Sequence, residues 1–238
     1  LSQPSTIKSN RINLALKIIS ENYGGRPFKL DLNPFEQLVV TILSQNTSWR
    51  NVDRALNNLM RRGRLKPDDI ITLGPQRLSQ IIKPAGLHLL KSQRIHQIAL
   101  TVKEKYGGSL RGLIERDVKG AREELMKLPG VGPKTADVFL AFTAGHPILP
   151  VDTHISRVSK RLHIAVEGAG YEEVKASLEA HVPPQDRVKM HIALIEFGRN
   201  ICKAVKPRCE ICPVRSLCPS KHLHLKQETS FTDPPPCS

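Results

Sequence analysis

Apolar residues recur at helical spacing along most of the chain. In "RINLALKIISENYGG" they form a repeating face that stops at Gly24-Gly25, which predicts a helix ended by glycines. Asn33-Pro34 opens a second helix, "PFEQLVVTILSQ", with Asn33 as N-cap and Pro34 at the first helical position. The same spacing predicts helices over 49–62, 75–83, 88–106, 109–116, 120–127, 133–144, 153–162, 171–181, 185–198 and 214–218. Glycines and prolines punctuate them, at Gly63, Gly74, Pro84, Gly86, Gly107-Gly108, Gly145 and Pro183-Pro184. No alternating run pairs with another, and no repeat of solenoid period is found. The chain therefore reads as all-α. From about 221 onward, "KHLHLKQETSFTDPPPCS" is polar and proline-rich and reads as a disordered tail.

Composition bounds this picture. With 238 residues, 39% of them hydrophobic, the chain is long enough for one large or two modest domains. No apolar run approaches the roughly 20 residues of a membrane span, so no membrane partner is expected. The opening "LSQPSTIKSN" is polar and unlike a signal peptide; a trimmed targeting segment stays open. Net charge is +14. That excess favours a polyanionic partner, nucleic acid above all. A basic surface kept for solubility explains the charge equally well on its own.

Cysteine placement narrows the chemistry. Four of the five cysteines fall between 202 and 218, in "CKAVKPRCEICPVRSLC", with six, two and five residues between Cys202, Cys209, Cys212 and Cys218. A disulfide framework spreads cysteines along a small secreted chain. Clustering points instead to a reducing compartment and a metal centre. Four thiolates suit zinc or an iron–sulfur cluster, and spacing alone does not choose between them. Lys203, Lys206 and Arg208, between the cysteines, suit phosphate contacts. Compensation of a cluster's thiolates accounts for those charges as well, and the two readings are compatible.

A second motif is "LPGVGPKTADVFL", residues 128–140. Gly130 and Gly132 flank Val131, and glycine lets a partner approach the main chain closely. Pro133 begins a helix, and Glu123–Leu128 forms a short helix before the turn, giving a helix–hairpin–helix over about 123–144. Free N–H groups at a helix start suit phosphate. Lys134 lies at the positive end of its helix, which disfavours an ammonium. That field, with partial burial, makes a lysine a better nucleophile. An exposed lysine touching phosphate is the simpler reading. Eighteen residues later, "VDTH" presents Asp152 at the start of helix 153–162. Asp152 suits a plain N-cap, and equally a carboxylate that stabilises positive charge on a sugar or moves a proton.

Taken together, the hairpin with Lys134, "VDTH" with Asp152, and the cysteine loop resemble the endonuclease III branch of the helix–hairpin–helix DNA glycosylases over about residues 8–219. The stretch "HIALIEFGRNICKAVKPRCEICPVRSLC" carries the most specific likeness. The resemblance implies two all-helical domains with duplex DNA bound in the cleft between them. One is a six-helix barrel with the hairpin, over 28–147. The other is a [4Fe-4S] domain formed by 1–27 and 148–220, with 221–238 as the tail. It further implies that Lys134 and Asp152 are catalytic, and that Cys202, Cys209, Cys212 and Cys218 hold the cluster. The implied activity is base excision from damaged duplex DNA with abasic-site lyase chemistry, carried out by a monomer. The implied location is a prokaryotic cytoplasm, or a eukaryotic nucleus or mitochondrion. A non-catalytic DNA-binding module is the rival reading, and retention of both Lys134 and Asp152 weighs against it.

The substrate is less legible. In the family one loop fills the hole left by the flipped base, and "LSQNTSWRNVDRAL", with Gln45 and Asn46, matches it. The oxidised-pyrimidine enzymes carry Gln there in a different setting, and "SQNTSW" is closer to branches acting on alkylated bases. A second wedge is normally Gly-Leu followed by an aromatic residue. Here it is "AGLHLLKSQRI", where Leu87 fits either an intercalating wedge or a core position, and His88, Leu89 and Leu90 are atypical. Gln45 and Asn46 equally suit the end of the preceding helix. The short stretch after Pro219 disfavours the adenine-mismatch branch, which carries a further C-terminal domain. Lys134 disfavours the thymine–guanine mismatch branch, which usually replaces the lysine. Oxidised pyrimidines remain the leading substrate class, and alkylated, deaminated or mismatched bases are the alternative on the same scaffold.

Overall fold

The computed structural model describes residues 3–25, 31–61 and 65–222. Among them it is helical throughout, with no strand. The chain divides into two compact units: Lys29–His146, and Leu1–Phe28 together with Pro147–Ser238. The expected tail falls on residues of which 223–238, Cys237 included, lie outside those described.

The Lys29–His146 unit is built on α2 (Pro34–Leu43), which is buried on nearly every side. Its start is fixed by a reciprocal cap. Asn33 Oδ1 accepts from Glu36 N at 2.9 Å, and Asn33 N donates to Glu36 Oε2 at 2.8 Å. The other oxygen of the buried Glu36 accepts from Leu65 N at 2.8 Å, tying a distant loop to the same cap. Around α2 lie α3 (Trp49–Met60), α5 (His88–Tyr106) and α8 (Pro133–Phe139), while α4 (Pro67–Ile81) packs along α5. Short helices α6 (Arg111–Ile114) and α7 (Val118–Met126) lead to the hairpin.

Two helices here differ from expectation. A helix was expected from residue 75, and α4 begins at Pro67, where Lys66 N donates to Asp69 Oδ2 at 2.8 Å. Gly74, at φ 67°, kinks it before Pro75. The segment before the kink is two turns, too short for periodicity to declare. The helix expected over 133–144 is α-helical only to Phe139 and continues as a π-helical turn, Leu140–Ala144, ended by Gly145 at φ 71°.

The two helices of the hairpin are clamped by an ion pair. Arg122 Nε on α7 meets Asp137 Oδ1 on α8 at 2.6 Å, and Asp137 is fully buried. Removing one partner of a buried pair strands the other charge. Asp137→Ala is therefore expected to lower stability by about 3 kcal/mol, read as a fall in the urea midpoint. An unchanged midpoint would show that the pair is dispensable.

In the other unit, α1 (Gln3–Tyr23) packs on α11 (Arg187–Asn200), which crosses α9 (Thr153–Arg161), and α9 meets α10 (Tyr171–Glu179). Helix α1 starts eight residues before the periodic stretch at Arg11. The core joins Ile12, Leu16 and Ile19 to Ile155, Val158 and Leu194. Tyr23 meets Phe197 edge-on at 5.5 Å. Gly198 lets α9 approach α11: a Cβ there would lie 2.9 Å from His154 Cβ.

Candidate functional site

The hairpin turns on Gly130. Its φ of 78° lies in the left-handed region, and a Cβ would meet Arg94 Cδ at 2.5 Å. Val131 is 5% exposed and anchors the turn. Gly132 differs from expectation, because its backbone is extended (φ −92°, ψ −178°) and a Cβ would meet nothing within 4 Å. Neither conformation nor internal packing demands glycine there. What its bare surface offers is close approach from outside.

Lys134 is the second residue of α8 and its side chain is exposed, without an ion-pair partner among the described residues. The partial burial expected for it is therefore not found within its own unit. Its neighbour Thr135 accepts from Gln45 Nε2 at 3.2 Å, and the same amide donates to Gly130 O at 2.9 Å. Arg94 Nη1 reaches Gln45 Oε1 at 3.5 Å. Gln45 is thus committed to the hairpin, whereas Asn46 is exposed at φ 53°. Neither continues the preceding helix, which ends at Leu43 with Ser44 as C-cap.

Leu87 is 55% exposed, which excludes the core position, and it sits at φ 47° as the N-cap of α5. Leu89 and Leu90 are exposed beside it. Sequence reasoning missed Lys91, whose Nζ is buried among main-chain carbonyls of this region. Burial pushes its ammonium down to about 8. Its place on the apolar face of α5, four residues before Ile95 and seven before Ile98, was the available signal.

Asp152 belongs to the other unit. It is the N-cap of α9, and its Oδ1 accepts from Ile155 N at 2.8 Å. The segment leading to it is held on both sides. Leu149 N donates to Glu179 Oε1 at 2.8 Å, and the buried His191 ring Nδ1 lies 2.8 Å from Pro150 O. These supports on α10 and α11 carry no sequence-local mark.

The same helix α9 grips the cysteine loop. Arg157 donates to Gly198 O at 2.8 Å and to Cys202 O at 2.9 and 3.0 Å. Arg161 Nη1 donates to Lys203 O at 2.6 Å and lies 3.5 Å from Cys202 Sγ. Ser220 Oγ donates to Arg161 O at 2.8 Å, and Arg11 of α1 donates to Leu217 O at 2.6 Å. The loop is thus stapled at both ends to the helix that Asp152 caps.

Cys202, Cys209, Cys212 and Cys218 are free thiols that line one pocket with Phe197 and Val214. Burial pushes Cys212 up to about 11 and raises Cys209 and Cys218, with the neighbouring sulfurs adding to the rise. As thiolates they need positive charge in the pocket. Four cysteine thiolates around one pocket are the donor set that holds an iron–sulfur cluster, and these residues fit it. Arg161 and Arg215 are the cations felt by Cys209. Lys206 and Arg208 are exposed and Lys203 is half-buried; none of the three pairs with a carboxylate among the described residues.

Known proteins share this arrangement. Residues 39–184 match the HhH-GPD superfamily of base excision DNA repair proteins, and residues 202–218 match the iron–sulfur binding domain of endonuclease III. Endonuclease III of Bacillus subtilis is 40% identical over 186 residues, covering 78% of this chain and 81% of its own. That of Thermotoga maritima is 36% identical over 188 residues, covering 79% and 84%. A solved structure of a trapped endonuclease III–DNA covalent intermediate aligns with a TM-score of 0.81 at 32% identity, covering 91% of this chain and 98% of that one. No helix among the described residues is long and apolar enough to cross a membrane. The chain belongs to the HhH-GPD superfamily of base excision DNA repair proteins, in the endonuclease III branch, with that branch's [4Fe-4S] domain.

Proposed function

We propose that this chain, acting as a monomer, excises damaged bases from duplex DNA and cleaves the strand at the resulting abasic site. One observation carries the reading: an exposed lysine, Lys134, opens the helix that follows a Gly-Val-Gly hairpin. A base inside a duplex is out of reach, so the nucleotide is flipped out. As the C1′–N bond breaks and the base leaves with a proton, oxocarbenium character develops on the sugar. The Lys134 amine adds to C1′ through its lone pair and forms the covalent adduct. Asp152 supplies a carboxylate that stabilises this charge and assists proton transfer. The adduct nitrogen gives up a proton as the C1′–O4′ bond opens and O4′ takes one, forming the Schiff base, and loss of a C2′ proton from it expels the 3′ phosphate by β-elimination. Hydrolysis of the imine then frees Lys134.

The Gly130–Gly132 hairpin holds the DNA backbone through main-chain N–H groups, while Asn46 and Leu87 enter the space left by the flipped nucleotide. Lys203, Lys206 and Arg208 add phosphate contacts from the loop that Cys202, Cys209, Cys212 and Cys218 tie to the cluster. When bound, the cluster supplies structure to that loop, since base removal needs no redox step.

Oxidised pyrimidines are the leading substrates. Removal of alkylated bases is the second reading, supported by the commitment of the Gln45 amide to Gly130 and Thr135, which keeps it from an orphaned base. Duplexes containing thymine glycol, dihydrouracil, uracil, 3-methyladenine, mismatched thymine or an abasic site separate the two. Strand cleavage at oxidised pyrimidines and at the abasic site is expected. Release of 3-methyladenine alone, without nicking of the abasic duplex, would replace the leading reading with the second.

A further inference from the structure

Two turns of the Lys29–His146 unit carry non-glycine residues in the left-handed region, Asn46 at φ 53° and Leu87 at φ 47°. Such conformations persist only where the surroundings hold them. The turns are remote in sequence, and one side chain grips both. Lys91, on the first turn of α5, is 1% exposed. Its Nζ donates to Leu43 O at 2.7 Å and Gln45 O at 2.6 Å, and to Ala85 O at 2.8 Å. The first two carbonyls lie at the end of α2 and immediately before Asn46. The third lies two residues before Leu87. An ammonium has three N–H donors, so three carbonyls use it fully, whereas a neutral amine leaves one unserved. Carbonyls at a helix end have no intrahelical partner, and a cation there also meets the negative end of the helix dipole.

We propose that Lys91 is a positioning residue that presets the 43–46 and 85–87 turns as one unit, so that Asn46 and Leu87 enter a damaged duplex together. This rests on the reading that these turns probe the duplex. Lys91 itself is too deeply buried to touch DNA.

The test compares the parent protein with Lys91→Met on two duplexes, one with a tetrahydrofuran abasic analogue opposite 2-aminopurine and one undamaged. Lys91→Met keeps the length and removes every donor. Its preference for the abasic over the undamaged duplex is expected to fall by about tenfold or more, with loss of the 2-aminopurine fluorescence change. Affinity for undamaged duplex is expected to hold, because it comes from phosphate contacts. A preserved preference, or equal loss on both duplexes, overturns the proposal. If the parent itself shows no preference, the functional reading fails instead. Should Lys91→Met not fold, the parent labelled with nitrogen-15 lysine decides. Slow exchange of the Lys91 ammonium protons, free and bound to the abasic duplex, supports the latch, and their release on binding overturns it.

Discussion

Lys134→Gln is expected to abolish borohydride trapping of a covalent protein–DNA adduct and strand cleavage at an abasic site. Glutamine keeps much of the reach and polarity of lysine but has no amine to form an imine, so the covalent step has no substitute group. The fold should not suffer. Lys134 is exposed, and surface substitutions of this kind usually stay within about 0.5 kcal/mol. Removing a cation from the first turn of α8 even favours the helix slightly, since the dipole is positive there. The variant is thus expected to melt at or just above the parent temperature while trapping is lost. Undiminished trapping would assign the nucleophile elsewhere.

The second large effect is expected at Asp152, where cap and chemistry can be separated. Asn caps a helix about as well as Asp, so Asp152→Asn should keep the bond from Ile155 N and stay within about 0.5 kcal/mol of the parent in stability. It removes the negative charge, and loss of a group in proton transfer costs about 10²–10⁴ in rate. Asp152→Ala loses the cap as well, at about 1 kcal/mol. Single-turnover base release on a preferred duplex, measured beside urea denaturation, reads both quantities. Base release by Asp152→Asn at the parent rate would leave Asp152 a cap and nothing more.

These two variants also mark what was legible in the chain. The all-helical character followed from periodicity, because apolar faces at 3.6-residue spacing are a local property. Caps were legible for the same reason: Asn33-Pro34 and Asp152 act on N–H groups three residues away. Helix α5, His88–Tyr106, matches its expected range because glycines bound the periodic run. The first half of α4 was not legible, since two turns ending at a left-handed Gly74 leave too few repeats. The cysteine spacing announced a metal centre without naming the metal. The choice came from the match of residues 202–218 to the iron–sulfur binding domain of endonuclease III.

By itself the sequence determined the all-helical class, most of the helices and the cysteine set, because each is written in neighbouring residues, and it offered Lys134 and Asp152 as candidates through a family resemblance. Tertiary structure alone decided how those residues are held. It committed Gln45 to the hairpin and left Asn46 exposed, put Leu87 on the surface, clamped the hairpin with Arg122 and Asp137, and bound two distant turns to one buried lysine. The partners in these contacts lie from 6 to 90 residues apart. Their pairing depends on which helix faces meet as apolar surface is buried, and no local pattern records that.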